Sequence, residues 1–135
     1  MISIIFGFIL LLFVFSGKVN AANRIEKIEM DVYINSKGTA EVTEKWEVTL
    51  TKGTEGYKPY SNLENSEIIN FSVTDDTGNK YTSLSKWNTN GSFGEKAYKC
   101  GINKTNKVIE LCWGISQYGS RTYTLKYEIT NFINQ

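Results

Sequence analysis

One carboxylate stands on the apolar face of a predicted strand, and its position is the first in this sequence that needs a chemical explanation. The stretch "GTAEVTEKWEVTL" runs from Gly38 to Leu50 and alternates apolar with polar residues. This alternation predicts a half-buried strand, because neighbouring side chains of a strand point to opposite faces. The inward set consists of Ala40, Val42, Glu44, Trp46, Val48 and Leu50. Glu44 is therefore predicted to point into the core.

An ionised carboxylate in a protein interior is costly unless it binds a cation or takes up a proton. Few cations of this sequence lie at inward or unassigned positions, and Lys58 and Arg121 are the two candidates. We therefore expect a structural ion pair between Glu44 and one of these two residues. The alternative is that Glu44 lies near the rim of the fold, where its carboxylate reaches water.

The sequence contains no histidine, which excludes Ser–His and Cys–His nucleophiles and the usual zinc and copper sites. It also has no glycine-rich phosphate loop. Asp75 and Asp76 stand too close to Gly78 for a calcium loop and are typical of a hairpin turn. A glycosidase with two carboxylates is the remaining enzymatic alternative, but most acidic residues fall at outward positions beside lysines. We predict a protein without catalytic residues, metal or cofactor.

The two cysteines, Cys100 and Cys112, are separated by a predicted hairpin. If the turn spans residues 103–107, both thiols lie on one face of the sheet, close enough for a disulfide after modest adjustment. An exported protein favours this bridge. The alternative is two buried thiols, since cysteine packs well in a core.

Exposed aromatic side chains are the other candidate functional group. Tyr57 and Tyr60 flank Lys58 in "GYKPY", and Trp87 lies in a polar stretch. Such rings could form a binding surface by stacking on sugars or on an extended peptide. The alternative is that "GYKPY" is an irregular crossover whose tyrosines pack on the core.

The first 21 residues are predicted to be a secretory signal peptide, with cleavage after Ala21. The apolar run Ile2 to Phe15 is shorter than the roughly 20 residues of a membrane span. An uncleaved N-terminal anchor is the alternative. The chain has 15 basic and 14 acidic residues, and cleavage would remove Lys18, so the mature chain would be neutral. This balance gives no indication of nucleic-acid binding.

The remainder, residues 22–135, has the pattern of a single all-β domain. Short alternating runs rich in Tyr, Phe, Trp, Thr and Val are separated by Gly, Asn, Asp and Ser clusters. About seven strands predict an Ig-like antiparallel β-sandwich, and a small antiparallel barrel is the alternative.

Three of these runs can be assigned in detail. A turn at residues 36–38 would pair Ile34 with Ala40, Met30 with Glu44 and Ile28 with Trp46. A second hairpin turns at "DDTGN", with Ile69, Phe71 and Val73 on its inner face. The last strand places four residues inward: Tyr123, Leu125, Tyr127 and Ile129.

Three motifs in this order resemble a family of predicted bacterial membrane proteins, domain of unknown function family 2207. They are "KGTAEVTEKWEV", "TEGYKPY" and "SRTYTLKYEIT", and the resemblance covers about Arg24 to Ile133. It implies an extracytoplasmic domain attached to transmembrane helices, with a basic residue at the position of Lys58, which favours Lys58 as the partner of Glu44. The family would continue beyond Gln135, so a truncated, partial or free secreted form is expected here, and membrane association would need the missing C-terminal anchor.

Taken together, these patterns predict a non-enzymatic cell-envelope domain that is a structural or protein-interaction module. The protein or envelope partner is not identified by any motif. The alternative function is a carbohydrate-binding surface domain that uses Tyr57, Tyr60 and Trp87.

Overall fold

The structure is a computed structural model that describes residues 22–134, and the predicted signal peptide lies outside these residues. The described chain forms two four-stranded sheets. The strands are β1 (Arg24–Ile34), β2 (Ala40–Leu50), β3 (Glu55–Ser61), β4 (Ile68–Asp75), β5 (Thr82–Leu84), β6 (Lys99–Lys104), β7 (Val108–Gly114) and β8 (Gly119–Ile129). A short helix, α1 (Phe93–Lys96), precedes β6, and a 3-10 turn (Phe132–Asn134) follows β8.

The sheets stack as a sandwich, which confirms the predicted fold class with eight strands in place of about seven. Sheet one has the order β1-β2-β8-β4 and sheet two the order β3-β7-β6-β5. All strand pairs are antiparallel except β5 with β6. Within residues 22–134, no helix has the length and hydrophobicity needed to cross a membrane.

The β1–β2 hairpin has the predicted register. Ile34 pairs with Ala40, Met30 with Glu44 and Ile28 with Trp46. The loop is closed by a 3.0 Å hydrogen bond from the Asn35 amide to the Thr39 carbonyl. Gly38 has a φ of +75°, a left-handed conformation that glycine adopts without a steric penalty.

The last strand also has the predicted orientation, and its side chains form the centre of the core. Tyr123, Leu125, Tyr127 and Ile129 are all buried. Residues of both sheets pack against them, among them Val42, Val73, Leu111 and Trp113. Burial of this continuous apolar layer is the main stabilising contribution in a sandwich of this size.

The inner face of β4 differs from the prediction at one residue. Ile68, Phe71 and Val73 are buried, whereas Ile69 is not among the buried residues. The register shifts between Ile69 and Ser72, and Asn70 lies in this bulge with a φ of +57°. One inserted residue reverses the alternation. The predicted turn forms at Asp75–Asn79. The strand after it, β5, belongs to sheet two and does not pair with β4 in sheet one.

The β6–β7 hairpin has a different turn from the predicted one, and this excludes the disulfide in the structure. Thr105 bonds to Val108 across a two-residue loop, so Cys100 pairs with Trp113 and Gly101 with Cys112. Paired residues share a face and neighbouring residues do not. The two cysteines therefore point to opposite faces of sheet two, and both are free and buried.

The two sheets are offset by one strand. Lys58 of β3 contacts Glu44 of β2 and Tyr127 of β8, and Trp113 of β7 contacts Tyr123 of β8. Sheet two therefore begins over β2, and β1 extends beyond it. Within the part of the chain that the structure describes, the inward-facing side chains of β1 have no second layer above them, although their register is the predicted one.

Candidate functional site

Glu44 lies at the centre of a buried polar network between the sheets. Its side chain is fully buried, and the predicted ion pair with Lys58 is present. The hydroxyl of Tyr127 donates a hydrogen bond to the same carboxylate oxygen. The other oxygen accepts a 2.7 Å hydrogen bond from Trp46 Nε1. The rim alternative, in which Glu44 reaches water, is therefore wrong, and "GYKPY" is part of strand β3 and not an irregular crossover.

The electrostatics of this network favour one fixed proton arrangement. Burial, together with hydrogen bonds to Glu44 and Tyr60, raises the pKa of Tyr127 far above its usual range. Tyr127 therefore stays protonated and donates to Glu44, while the Tyr60 hydroxyl bonds to the Tyr127 hydroxyl. The Lys58 ammonium lies 5.0 Å from the ring centre of Tyr60, at a distance typical of a cation–π contact. Each oxygen of the carboxylate has a partner, so the network is built to hold the two sheets together.

Arg121, the other predicted partner of Glu44, belongs to a separate cluster. Its guanidinium lies 2.6 Å from Asp76 and 3.6 Å from Asp75. Burial alone would raise the pKa of Asp75, but hydrogen bonds from Thr77 and Asn79 outweigh it and lower the pKa. Asp75 therefore serves as a buried turn carboxylate, as the hairpin interpretation of "DDTGN" predicted, and the assignment of Arg121 to Glu44 is wrong.

A third buried charge cluster was not predicted. The Lys96 ammonium lies 2.9 Å from Glu55 and donates to the carbonyl of Thr89 at 2.7 Å. Trp87 Nε1 donates a 2.6 Å hydrogen bond to the same Glu55 oxygen. The only sequence signal near this cluster is the capping box formed by Ser92 and Glu95, which begins α1. That signal locates the helix but not the inward direction of Lys96.

The predicted aromatic binding surface is not formed. Trp87 is only 3% exposed, and Tyr60 packs against the core with its ring 5.9 Å from that of Tyr127. Tyr57 alone is exposed, at 55%. The carbohydrate-binding alternative therefore remains a prediction that rests on one of its three residues.

The cysteines are in surroundings that suppress thiol reactivity. Cys100 belongs to the core cluster, and burial raises its pKa. Burial and the nearby carboxylates of Glu55 and Glu110 raise the pKa of Cys112 to about 12. Since the thiolate is the reactive form, both residues behave as packed apolar side chains, as the alternative interpretation of the sequence had it.

An exposed apolar strip on β1 is the feature of the structure that no prediction anticipated. The strip, called the β1 face here, is formed by Ile25, Ile28, Met30, Val32 and Ile34, which are 43–58% exposed. At its N-terminal end it opens into a groove of about 270 Å³ whose walls include Trp46, Leu50, Tyr57 and Trp113. The β1 face and this groove form the candidate functional site.

The charged residues of β1 nearly balance, with two basic and three acidic side chains. On the opposite face of the same strand, Arg24 lies 3.0 Å from Glu26 and Lys27 lies 2.5 Å from Glu29. No group of three acidic or cysteine side chains in residues 22–134 is placed to hold a metal ion. The site is therefore suited to contact with an apolar surface and carries no strong field that would select a charged ligand.

Comparisons with known proteins give no information about the function of this site. No family model, curated protein or solved structure matches this chain.

Proposed function

We propose that this chain is a non-enzymatic, extracytoplasmic β-sandwich domain that acts by protein–protein contact through the β1 face. The observation that carries the proposal is the exposure of five consecutive inward positions of one strand. Scattered exposed apolar residues are normal, but a contiguous apolar strip bordered by charged residues is typical of an interaction site.

The arrangement of the charged residues supports a non-catalytic role. Glu44, Asp75 and Glu55 are each paired with a cation inside the fold. Catalytic carboxylates need access to substrate and a protonation state tuned to the reaction. Carboxylates that are fully engaged with lysine, arginine, tyrosine and tryptophan partners serve instead to fix the positions of strands.

The cellular location in this proposal comes from the sequence. The apolar segment before Ala22 is the predicted signal peptide, and the resemblance to family 2207 implies an extracytoplasmic domain of a membrane protein. An interaction module in the cell envelope is consistent with both. Membrane association through a C-terminal anchor, which the resemblance implies, is part of this proposal.

A photo-crosslinking amino acid at position 32 tests the interaction in bacteria that export the full chain. Val32 lies on the β1 face and Tyr33, its neighbour, points to the opposite face of the same strand. We expect irradiation to give a crosslinked product of higher mass from position 32, and little from position 33. Equal yields at the two positions, or no product from position 32, would overturn the proposal.

A further inference from the structure

We infer that the partner of the β1 face is a second copy of this chain, which packs its own β1 face against the first. This inference rests on the proposed function, because it names the partner of the same surface. It follows from three features: the offset of the sheets that leaves β1 uncovered, the alternation of β1, and the small net charge of the strand.

The part of sheet one that sheet two leaves uncovered is one strand wide. Sheet two ends at β3, which lies over β2 and β8 through the contacts of Lys58 with Glu44 and Tyr127. Neighbouring strands of a sheet are about 4.8 Å apart and stacked sheets about 10 Å. One further strand beside β3 would therefore lie directly over the β1 face and complete the second layer.

The chain itself contains a strand with the properties that this position requires. β1 has 11 residues and one apolar face, and no strand formed by residues 22–134 lies on its outer side in sheet one. A half-turn about an axis parallel to β1, midway between the layers, places the β1 of the second copy over the first β1 and beside β3. The contact is the same for both copies, so the assembly closes as a two-fold dimer.

In this arrangement each sheet one continues the layer of the partner's sheet two. The apolar side chains of the two strips, from Ile28 to Ile34, would pack face to face as in the core of a sandwich. Pro59 of β3 has no amide hydrogen, so a complete hydrogen-bond ladder between β3 and the added strand does not form. The contact is therefore held mainly by apolar packing, and hydrogen bonds across the β3 edge contribute less.

The charges of β1 favour a second copy over a strongly charged partner. Four of its five charged residues form the pairs Arg24–Glu26 and Lys27–Glu29, and Asp31 leaves the strand with a net charge of only −1. The chain after residue 21 has equal numbers of acidic and basic residues. Two copies therefore meet little net repulsion, since association is strongly opposed only when like charges accumulate.

Sedimentation equilibrium of the purified exported chain, from about 1 µM to about 1 mM, tests the inference. We expect a reversible monomer–dimer equilibrium for the parent chain. Met30→Lys should raise the dissociation constant at least about tenfold, because it places a cation in the apolar contact. Tyr33→Lys, an equally drastic change on the opposite face of β1, should leave the constant unchanged. Urea unfolding of both variants verifies that each is folded.

The outcomes distinguish failure of the dimer inference from failure of the proposed function on which it rests. A parent chain that stays monomeric to about 1 mM, or a Met30→Lys variant that dimerises like the parent, overturns the second copy as partner. If position 32 then crosslinks to a different protein in cells, the proposed function stands with another partner. If position 32 gives no crosslinked product at all, the function fails as well.

Discussion

Glu44→Gln is expected to lower the free energy of unfolding by about 3 kcal/mol at neutral pH. The substitution keeps the size of the side chain, but the single carbonyl oxygen of glutamine can accept from only one of Trp46 and Tyr127, which donate to different oxygens of Glu44. It removes the counter-charge of Lys58, whose side chain is only 17% exposed. A buried cation without its anion is strongly destabilising, and the residual exposure of Lys58 puts the effect at the lower end of the usual range. Urea unfolding at pH 7 measures the change.

Two further variants separate the ion pair from a general effect of losing a carboxylate. Glu41→Gln changes an exposed glutamate of the same strand, and we expect it to alter stability by less than about 0.5 kcal/mol. Adding Lys58→Met to Glu44→Gln removes the unpaired cation and should recover part of the loss. If Glu44→Gln unfolds at the same urea concentration as the parent chain, the network around Glu44 is not a structural contact.

Gly114→Ala is expected to destabilise the fold by about 3 kcal/mol through overpacking. A methyl group on Gly114 would lie 1.8 Å from the carbonyl oxygen of Lys96 and 3.0 Å from the amide nitrogen of Ala97. These are backbone atoms at the bridge between Gly114 and Ala97, so they cannot move aside as a side chain would. The end of α1 would be displaced from β7, and the Lys96–Glu55 pair would be strained with it.

Gly94→Ala is the matched control for this substitution. Gly94 belongs to α1, and an added methyl group there meets no atom within 4 Å. Since alanine is the better helix former, stability should be unchanged or slightly increased. Urea unfolding compares the two variants, and near-ultraviolet circular dichroism reports the Trp87 environment. Equal stability of Gly114→Ala and the parent chain would contradict the close approach of α1 to β7.

Strands with uninterrupted alternation could be assigned from the sequence. For β1 and β2, a short loop closed by Gly38 allows only one register that keeps both apolar sets on one face. The same reasoning gave the orientation of Tyr123 to Ile129 in β8. The ion pair of Glu44 followed because a single carboxylate on an apolar face needs a cation, and the resemblance placed a basic residue at Lys58.

Features that depend on a bulge or on the length of a loop could not be assigned from the sequence. At Asn70 a bulge reverses the alternation of β4. Asparagine adopts a positive φ more often than most residues, but one asparagine in an alternating run does not by itself predict a bulge. In the β6–β7 hairpin, "NKTNK" is compatible with loops of two or five residues. These two loops differ by an odd number of residues, so the choice between them decides which face of the sheet Cys112 occupies.

The remaining differences between the sequence-based predictions and the structure depend on how segments distant in sequence pack together. Residues 85–98 have no strand periodicity, so nothing in this segment indicates that Trp87 and Lys96 turn inward onto Glu55. The offset between the sheets is a property of how two layers stack, and the alternation of β1 is the same whether or not its face is covered. The exposure of the β1 face could therefore be found only in the structure.

Oxidation of Met30 tests the central claim, that the β1 face is covered by a partner, most directly. Met30 is the only methionine after Met1 and is 50% exposed in the isolated domain, so hydrogen peroxide should convert it readily to the sulfoxide in dilute solution. In cells that export the chain, a partner on the β1 face should slow this conversion severalfold, as measured by the mass of the peptide that contains residue 30. Equal rates of oxidation in dilute solution and in the cell envelope would contradict the claim.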